Sequence, residues 1–293
     1  MADSTSANSA ADSKNNTASV MEWFDQAIPA GSARYYALLH SHPELQEKQR
    51  LVTTLISIFS KLGFQSREVE VAKHKLEWWR QELEKETFSH PVMVAFTTMT
   101  PVIRSQLKQL LNGYATLLES GSPSTDQQNQ QFHSDTGAVA CHLLCDTQEG
   151  NESVHNAGVV LSRFRCLRYL RQHVDSGLLC LPISSLEAAD ISPALLTPAA
   201  NNEAVNAYFA TELTKLRQDM LQSLEALARK ATAATDEERR NYKALYVYQT
   251  LQYKLLQLMC KDNTSVVEEV TRLTPIRNYW SGFLAARKFD KVN

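Results

Sequence analysis

Residues 162–182 read SRFRCLRYLRQHVDSGLLCLP, and the reading of this stretch decides the rest. It closes a helix expected over Ala157 to Asp175. Arg163, Arg165, Arg168 and Arg171 make that helix basic, and no Asp or Glu lies between Ser162 and Val174. Asp175 is the first acid to follow, then Gly177 and the pair Leu181-Pro182. Arg168 and Arg171 are three apart and so neighbours on a helix surface. Such a cluster either binds an anion directly or forms a solvated, salt-bridged face.

The chain of 293 residues is 43% hydrophobic, enough for one large core or two small ones. Only 21% is charged, the net charge is -2 and the isoelectric point lies near 6.5. That balance gives no general attraction to nucleic acid or to an anionic membrane. Five cysteines, without a secretion signal, point to reduced thiols and a cytoplasmic setting. Residues 1–20 are rich in Ser, Ala, Asn, Asp and Thr and are expected to form a disordered tail. No apolar run reaches the ~18 residues of a membrane span. The longest candidate, Pro91 to Ile103, is expected to be one buried helix. A location in the cytoplasm or peripheral to a membrane is implied.

Helical signals dominate from residue 21 onward. Nine Gly and nine Pro occur, and no alternating strand pattern persists. Ser32 is positioned to cap a helix carrying Tyr35, Tyr36, Leu38 and Leu39. Leu45 to Leu62 is amphipathic, with Leu51, Leu55, Ile58, Phe59 and Leu62 on one face and Gly63 as its expected C-cap. Glu68 to Thr87 forms another helix, in which Leu76, Trp79 and Leu83 recur. A third follows Pro101. Ser120 to Gln131 reads as a polar loop. Helices are expected near Gly137 to Cys145, from Asn202 to Lys230, and after Asp236, the expected cap of the last long helix. A short one covers Tyr279 to Lys288. The expectation is one all-α domain over residues 21–293.

Four places in this order resemble the squalene and phytoene synthases. SARYYALLHSHPELQEKQRLVTTLISIFSKL (32–62) is similar to that family's opening segment, and Arg50 sits where the family has an Arg. KLEWWRQELEK with His90-Pro91 resembles its Leu-x-x-Trp-x-x-Glu-Leu run and following His-Pro. The opening stretch resembles its second diphosphate-binding segment, with Leu167-Arg168, Gly177 and Leu181-Pro182 matched without a gap. NAYFATELTKLRQDM and RRNYKALYVYQTLQYKLL resemble its two late helices. The resemblance implies an isoprenoid-synthase-like helical bundle around a central cavity. In that family two Asp-rich helices hold Mg2+ ions, which bind prenyl diphosphates and promote their condensation.

This chain departs from the pattern at both metal sites. In the gapless register the acids of the second site fall on Tyr169, Gln172 and His173. The first Asp pair falls near Gly63 and Phe64, and the nearby Glu68 and Glu70 are displaced. In this respect the chain is similar to the mitochondrial complex I assembly factor of the family, a non-catalytic relative. The expectation is a non-catalytic protein that binds a hydrophobic or prenyl ligand, or a protein partner in respiratory-complex assembly. The alternative is an active prenyltransferase with a rearranged metal site using Glu68, Glu70 or acids from other helices, and only then with Mg2+ as cofactor. Candidate cavity and anion-binding residues are Arg168, Arg171, Tyr169, Arg50 and Tyr35. No catalytic residue and no metal ligand is assigned.

Other residues admit two readings. His133, Cys141, His142 and Cys145 are either zinc ligands or ordinary core residues. Trp78 and Trp79 either line a prenyl cavity or pack helices. Tyr242, Tyr246 and Tyr253 are core or cavity wall, and His40 and His42 belong to a turn. No Gly-rich phosphate loop or nucleophile elbow is present.

Overall fold

The computed structural model describes residues 20–65, 68–97, 99–148, 150–196, 202–261, 266 and 271–291. The expected tail lies outside these, apart from Val20, which is helical and buried. No strand occurs among the described residues. The helices are α1 (20–27), α2 (Ala33–Leu39), α3 (Pro43–Gln65), α4 (Val69–Glu84), α5 (Pro91–Ala95), α6 (Pro101–Ser120) and α7 (Asp126–His133). A π-helical turn, Ser134–Ala138, leads into α8 (Val139–Cys145). Then come α9 (Glu152–Arg168), α10 (Leu170–Asp175), α11 (Ile183–Ala188), α12 (Glu203–Ala233), α13 (Asp236–Lys261) and α14 (Pro275–Asp290).

Caps explain most of these boundaries. Ser32 accepts the Tyr35 amide, Thr100 the Ile103 amide and Asn202 the Ala204 amide, each satisfying a donor that the first turn leaves open. Thr235, not Asp236, caps α13. Its hydroxyl accepts the Glu238 amide while the Glu238 carboxylate accepts the Thr235 amide, a reciprocal capping box. Gly177, at φ 72°, ends α10 in the left-handed region. The Leu178 amide reaches the His173 carbonyl and the Gly177 amide that of Val174, the Schellman pairing.

Several expectations are corrected. Gly63 does not end α3; the helix runs through it to Gln65. Gly63 is small because α6 passes close by, and a Cβ there would lie 2.6 Å from the Tyr114 ring. Pro91 to Ile103 is not one helix but two, because Pro101 disfavours helical geometry at Thr100. The second half of the Ser120–Gln131 loop is the polar helix α7, capped by Thr125. Its exposed Gln and Asn residues give no apolar periodicity to read. The helix expected over Ala157 to Asp175 starts earlier, at Glu152, and is interrupted at Tyr169.

The core falls into two large clusters and a small one of Ala27, Ile28 and Leu38. One of the large clusters joins α3, α4 and α6 through Leu55, Phe59, Leu76, Trp79, Leu107 and Tyr114. The other joins α9, α12, α13 and α14 through Phe164, Leu216, Leu245, Leu251 and Phe289. At Gly137 and Gly158 the π-turn and α9 approach backbone to backbone, leaving no room for a side chain on either residue.

One buried carboxylate ties the first cluster together. Glu82 of α4 accepts the amides of Ser89 and His90, the Ser89 hydroxyl at 2.7 Å and the Lys85 ammonium at 2.6 Å. Burial alone would raise its pKa; these donors outweigh burial and hold it at about 2. His90 in turn caps α5 by accepting the Val92 amide. A Glu82→Gln substitution loses the buried ion pair and turns a donor toward these amides. It is expected to cost about 3 kcal/mol, read as a lower denaturant midpoint. An unchanged midpoint would show that the carboxylate does not anchor this turn.

Candidate functional site

Three helices each offer one stripe to a common space between the two large clusters. α3 gives Ser57, Ser60, Lys61 and Phe64; α9 gives Leu161, Phe164, Arg165 and Arg168; α13 gives Tyr248, Leu251, Gln252 and Leu255. Each set follows the same i, i+3, i+4, i+7 spacing, which keeps four side chains on one face. Arg34 at the start of α2, Arg272 in the segment before α14, and Pro275 and Asn278 in the first turn of α14 close the sides. The cavity so enclosed measures about 670 Å³.

The charge of its wall is one-sided. Arg34, Lys61, Arg165, Arg168 and Arg272 line it, and no Asp or Glu does so among the described residues. Arg168 donates through Nε to the Thr271 carbonyl at 3.1 Å and lies 5.0 Å over the Tyr169 ring. Arg165 donates to the Tyr114 hydroxyl at 2.8 Å and sits 4.7 Å over the Phe64 ring. Burial works against the Arg165 charge, but Tyr114 and Cys166 outweigh it, so its pKa is raised. An inner apolar pocket of about 100 Å³, walled by Ala37, Ile56, Ala140, Leu144 and Leu245, adjoins the cavity at Arg34, Leu161, Arg165 and Tyr248.

The break at Tyr169 turns Tyr169, Gln172 and His173 toward the cavity, and all three line it. Phe64 faces them from α3 and stacks on His173 with ring centroids 4.5 Å apart and planes 22° apart. Burial, with Arg165 adding to it, pushes the His173 pKa down to about 3, so the ring is neutral. His173 Nδ1 and Arg165 Nε are buried without a hydrogen-bond partner.

A family model described as squalene/phytoene synthase matches residues 29–280. The chain belongs to the squalene/phytoene synthase family. A search of curated protein sequences finds no match. Among solved structures, a ligand-bound dehydrosqualene synthase superposes with a TM-score of 0.70 at 11% identity, covering 94% of this chain and 99% of that one. A ligand complex of TcSQS gives 0.61, also at 11% identity, covering 94% and 90%. At that identity the likeness establishes the fold, an isoprenoid-synthase bundle around a central cavity.

Of the residues singled out in the sequence of this squalene/phytoene synthase family member, Arg168 and Tyr169 line the cavity. The other three candidates lie elsewhere. Arg171 pairs with Asp175 at 2.9 Å. Arg50 lies 4.7 Å over the Phe24 ring, held by α1. Tyr35 is 38% exposed and packs edge-on against Tyr36. Arg163 pairs with Asp219 of α12. The sequence reading missed Arg34, Lys61 and Arg272 because they come from segments far apart in the chain.

The zinc reading does not assemble: His133 bonds to Ser162 at 3.0 Å and His142 to Thr147 at 3.0 Å. No group of three or more His, Cys, Asp or Glu side chains is placed to hold a metal among the described residues. Trp79 packs on Phe59 and, with Trp23, Trp78 and His90, borders a cleft that adjoins the cavity at Gln26, Ala27, Ser57 and Lys61, but Trp79 does not itself line the cavity. Among the described residues, those that line the cavity include no carboxylate and so do not fit the Mg2+ ions that the family resemblance implies.

Proposed function

We propose that this chain is a non-catalytic member of its family that holds an anionic ligand with an apolar tail, a prenyl diphosphate or a chemically close molecule, in the central cavity. The observation that carries this reading is a cavity lined by five cations and, among the described residues, no carboxylate. Guanidinium groups bind phosphate oxygens directly, in paired charge-assisted hydrogen bonds. The unpartnered Nε of Arg165 and Nδ1 of His173 supply polar atoms for such a ligand, and the inner apolar pocket lies beyond them for the start of a tail.

Ionisation of a prenyl diphosphate needs hard cations bridging the leaving group to the protein. In the proposed register, the places of their carboxylates are taken by Tyr169, Gln172, His173 and Phe64. The active-transferase alternative needs Glu68, Glu70 or acids from other helices as ligands, and Glu68 and Glu70 are the nearest in sequence to the first site. Neither lines the cavity, and Glu70 is paired with Lys73 at 2.9 Å. A protein partner in respiratory-complex assembly and a cytoplasmic location rest on the family resemblance and on composition.

Farnesyl or geranylgeranyl diphosphate incubated with the protein and Mg2+ is expected to release no diphosphate. Farnesyl diphosphate is expected to raise the melting temperature equally with Mg2+ and with EDTA. Replacing Arg165 and Arg168 together by Met should weaken binding by tenfold or more, since each hydrogen bond from a charged donor is worth ~1.5–3 kcal/mol. Turnover abolished by EDTA would establish the transferase instead. Binding that survives the double substitution would remove the guanidinium site.

A further inference from the structure

Helix α14 is amphipathic in an unusual sense, because both of its faces carry apolar groups. One face, with Ala285, Ala286 and Phe289, is buried against α13 and α2. The other carries Ile276, Tyr279, Trp280, Phe283 and Leu284, spaced so that they share one side of the helix. Ile276 is 71% exposed, Leu284 59% and Trp280 57%. On the adjoining α2, Tyr35 and Leu39 are exposed as well. Ring contacts run without a break from Tyr35 through Tyr36, Tyr279 and Trp280 to Phe283. A continuous exposed patch of this kind marks an interaction surface.

The charges around the patch select its occupant. Arg277, Arg287, Lys288 and Lys291 are exposed on or just after α14, and none has a carboxylate partner among the described residues. The one acid of α14, Asp290, is engaged by Lys243 at 2.8 Å. A local excess of cations on a chain of net charge -2 is a directed feature. A second copy pairing through the same face would bring these cations against their own symmetry mates. An anionic bilayer complements them, and Trp and Tyr rings beside Lys and Arg suit its headgroup layer. The first turn of the helix borders the cavity, which Pro275 and Asn278 line.

We infer that α14, with the adjoining end of α2, seats the protein on an anionic lipid surface, with the basic cavity beside that surface. The lipid contact stands on α14 alone. Its use as a route for an apolar-tailed anion from the bilayer into the cavity rests on the binding function proposed above. No helix among the described residues is long and apolar enough to cross a membrane.

The test is co-sedimentation of the full chain with vesicles of phosphatidylcholine, alone and mixed with phosphatidylglycerol. The expected result is pelleting with the mixed vesicles, weakened by salt, and little with phosphatidylcholine alone. Trp280→Asp with Leu284→Asp should abolish it. Arg287→Glu with Lys288→Glu should weaken it by about fivefold or more per residue. All four positions are exposed, so circular dichroism should be unchanged. The Trp280/Leu284 variant should also keep its thermal response to farnesyl diphosphate in solution. Loss of that response in wild type overturns the ligand reading and leaves the lipid contact intact. Equal pelleting by wild type and the Trp280/Leu284 variant, no pelleting at all, or a dimer disrupted by Trp280→Asp would overturn the lipid contact.

Discussion

Gly158→Val is expected to yield no folded protein. A Cβ on Gly158 would meet the Gly137 carbonyl and lie 2.5 Å from the Ala138 Cα, and one on Gly137 would lie 2.5 Å from the Ser162 Cβ. The obstacles on the Gly158 side are backbone, which no rotamer change can move aside. Overpacking commonly costs ~1–3 kcal/mol, and a branched side chain wedged between two backbones exceeds that range. The whole margin of a domain is ~5–15 kcal/mol. Soluble yield and denaturant midpoint provide the measurement, with Gly158→Ala as a milder step that should still lower the midpoint clearly. Gly150→Ala is the control, because nothing lies within 4 Å of a Cβ there. Should Gly158→Ala match wild type, the two segments do not touch as described.

Acidification is expected to unfold the protein well before its carboxylates titrate. His133 and His173 are buried and neutral, with pKa values pushed down to about 3 by burial and by the neighbouring arginines. His142 is held at about 4 by burial and by His155. Their ordinary value is 6.5. Above it neither folded nor unfolded chain holds the proton, and these groups leave stability unchanged. Below it the unfolded chain takes up protons that the folded chain refuses, so stability falls steadily as the pH drops from 6.5 toward 3. By pH ~4.5, His133 and His173 each remove roughly 2–3 kcal/mol, with His142 acting in the same direction. Denaturant midpoints measured across this range should fall steeply, and His133→Gln should flatten the slope. A midpoint that stays level below neutral pH would mean that these rings are not buried as neutral groups.

Much of the bundle was legible because its helices obey the 3.6-residue period and carry recognisable caps. Ser32 and the stripe of α13 from Tyr242 to Met259 are examples. What the period cannot express is where one backbone nears another. Gly63 has the appearance of a helix end, yet it is a notch for Tyr114. α7 has no apolar stripe at all, so nothing distinguishes it from a loop. For the cavity, the basic character of α9 was visible as composition, but the break at Tyr169 was not. Which arginines point inward was not visible either, because Arg165 and Arg171 differ only in what folds against them. A usable signal did exist: α3 and α9 each place cations, Lys61, Arg165 and Arg168, within otherwise buried stripes.

If the non-catalytic function proposed above holds, the stack of Phe64 on His173 bears on whether a metal site could be regained. In the proposed register these rings stand where opposed acids would be needed. A single reversion of His173 to Asp would set a carboxylate against an aromatic face, with no metal to meet it and Phe64 unmoved. Reverting Phe64 alone would open a gap beneath Arg165 and leave His173 without its stacking partner. Each step is unfavourable until the other has occurred. On that proposed reading the two positions act as a ratchet, easier to enter than to leave.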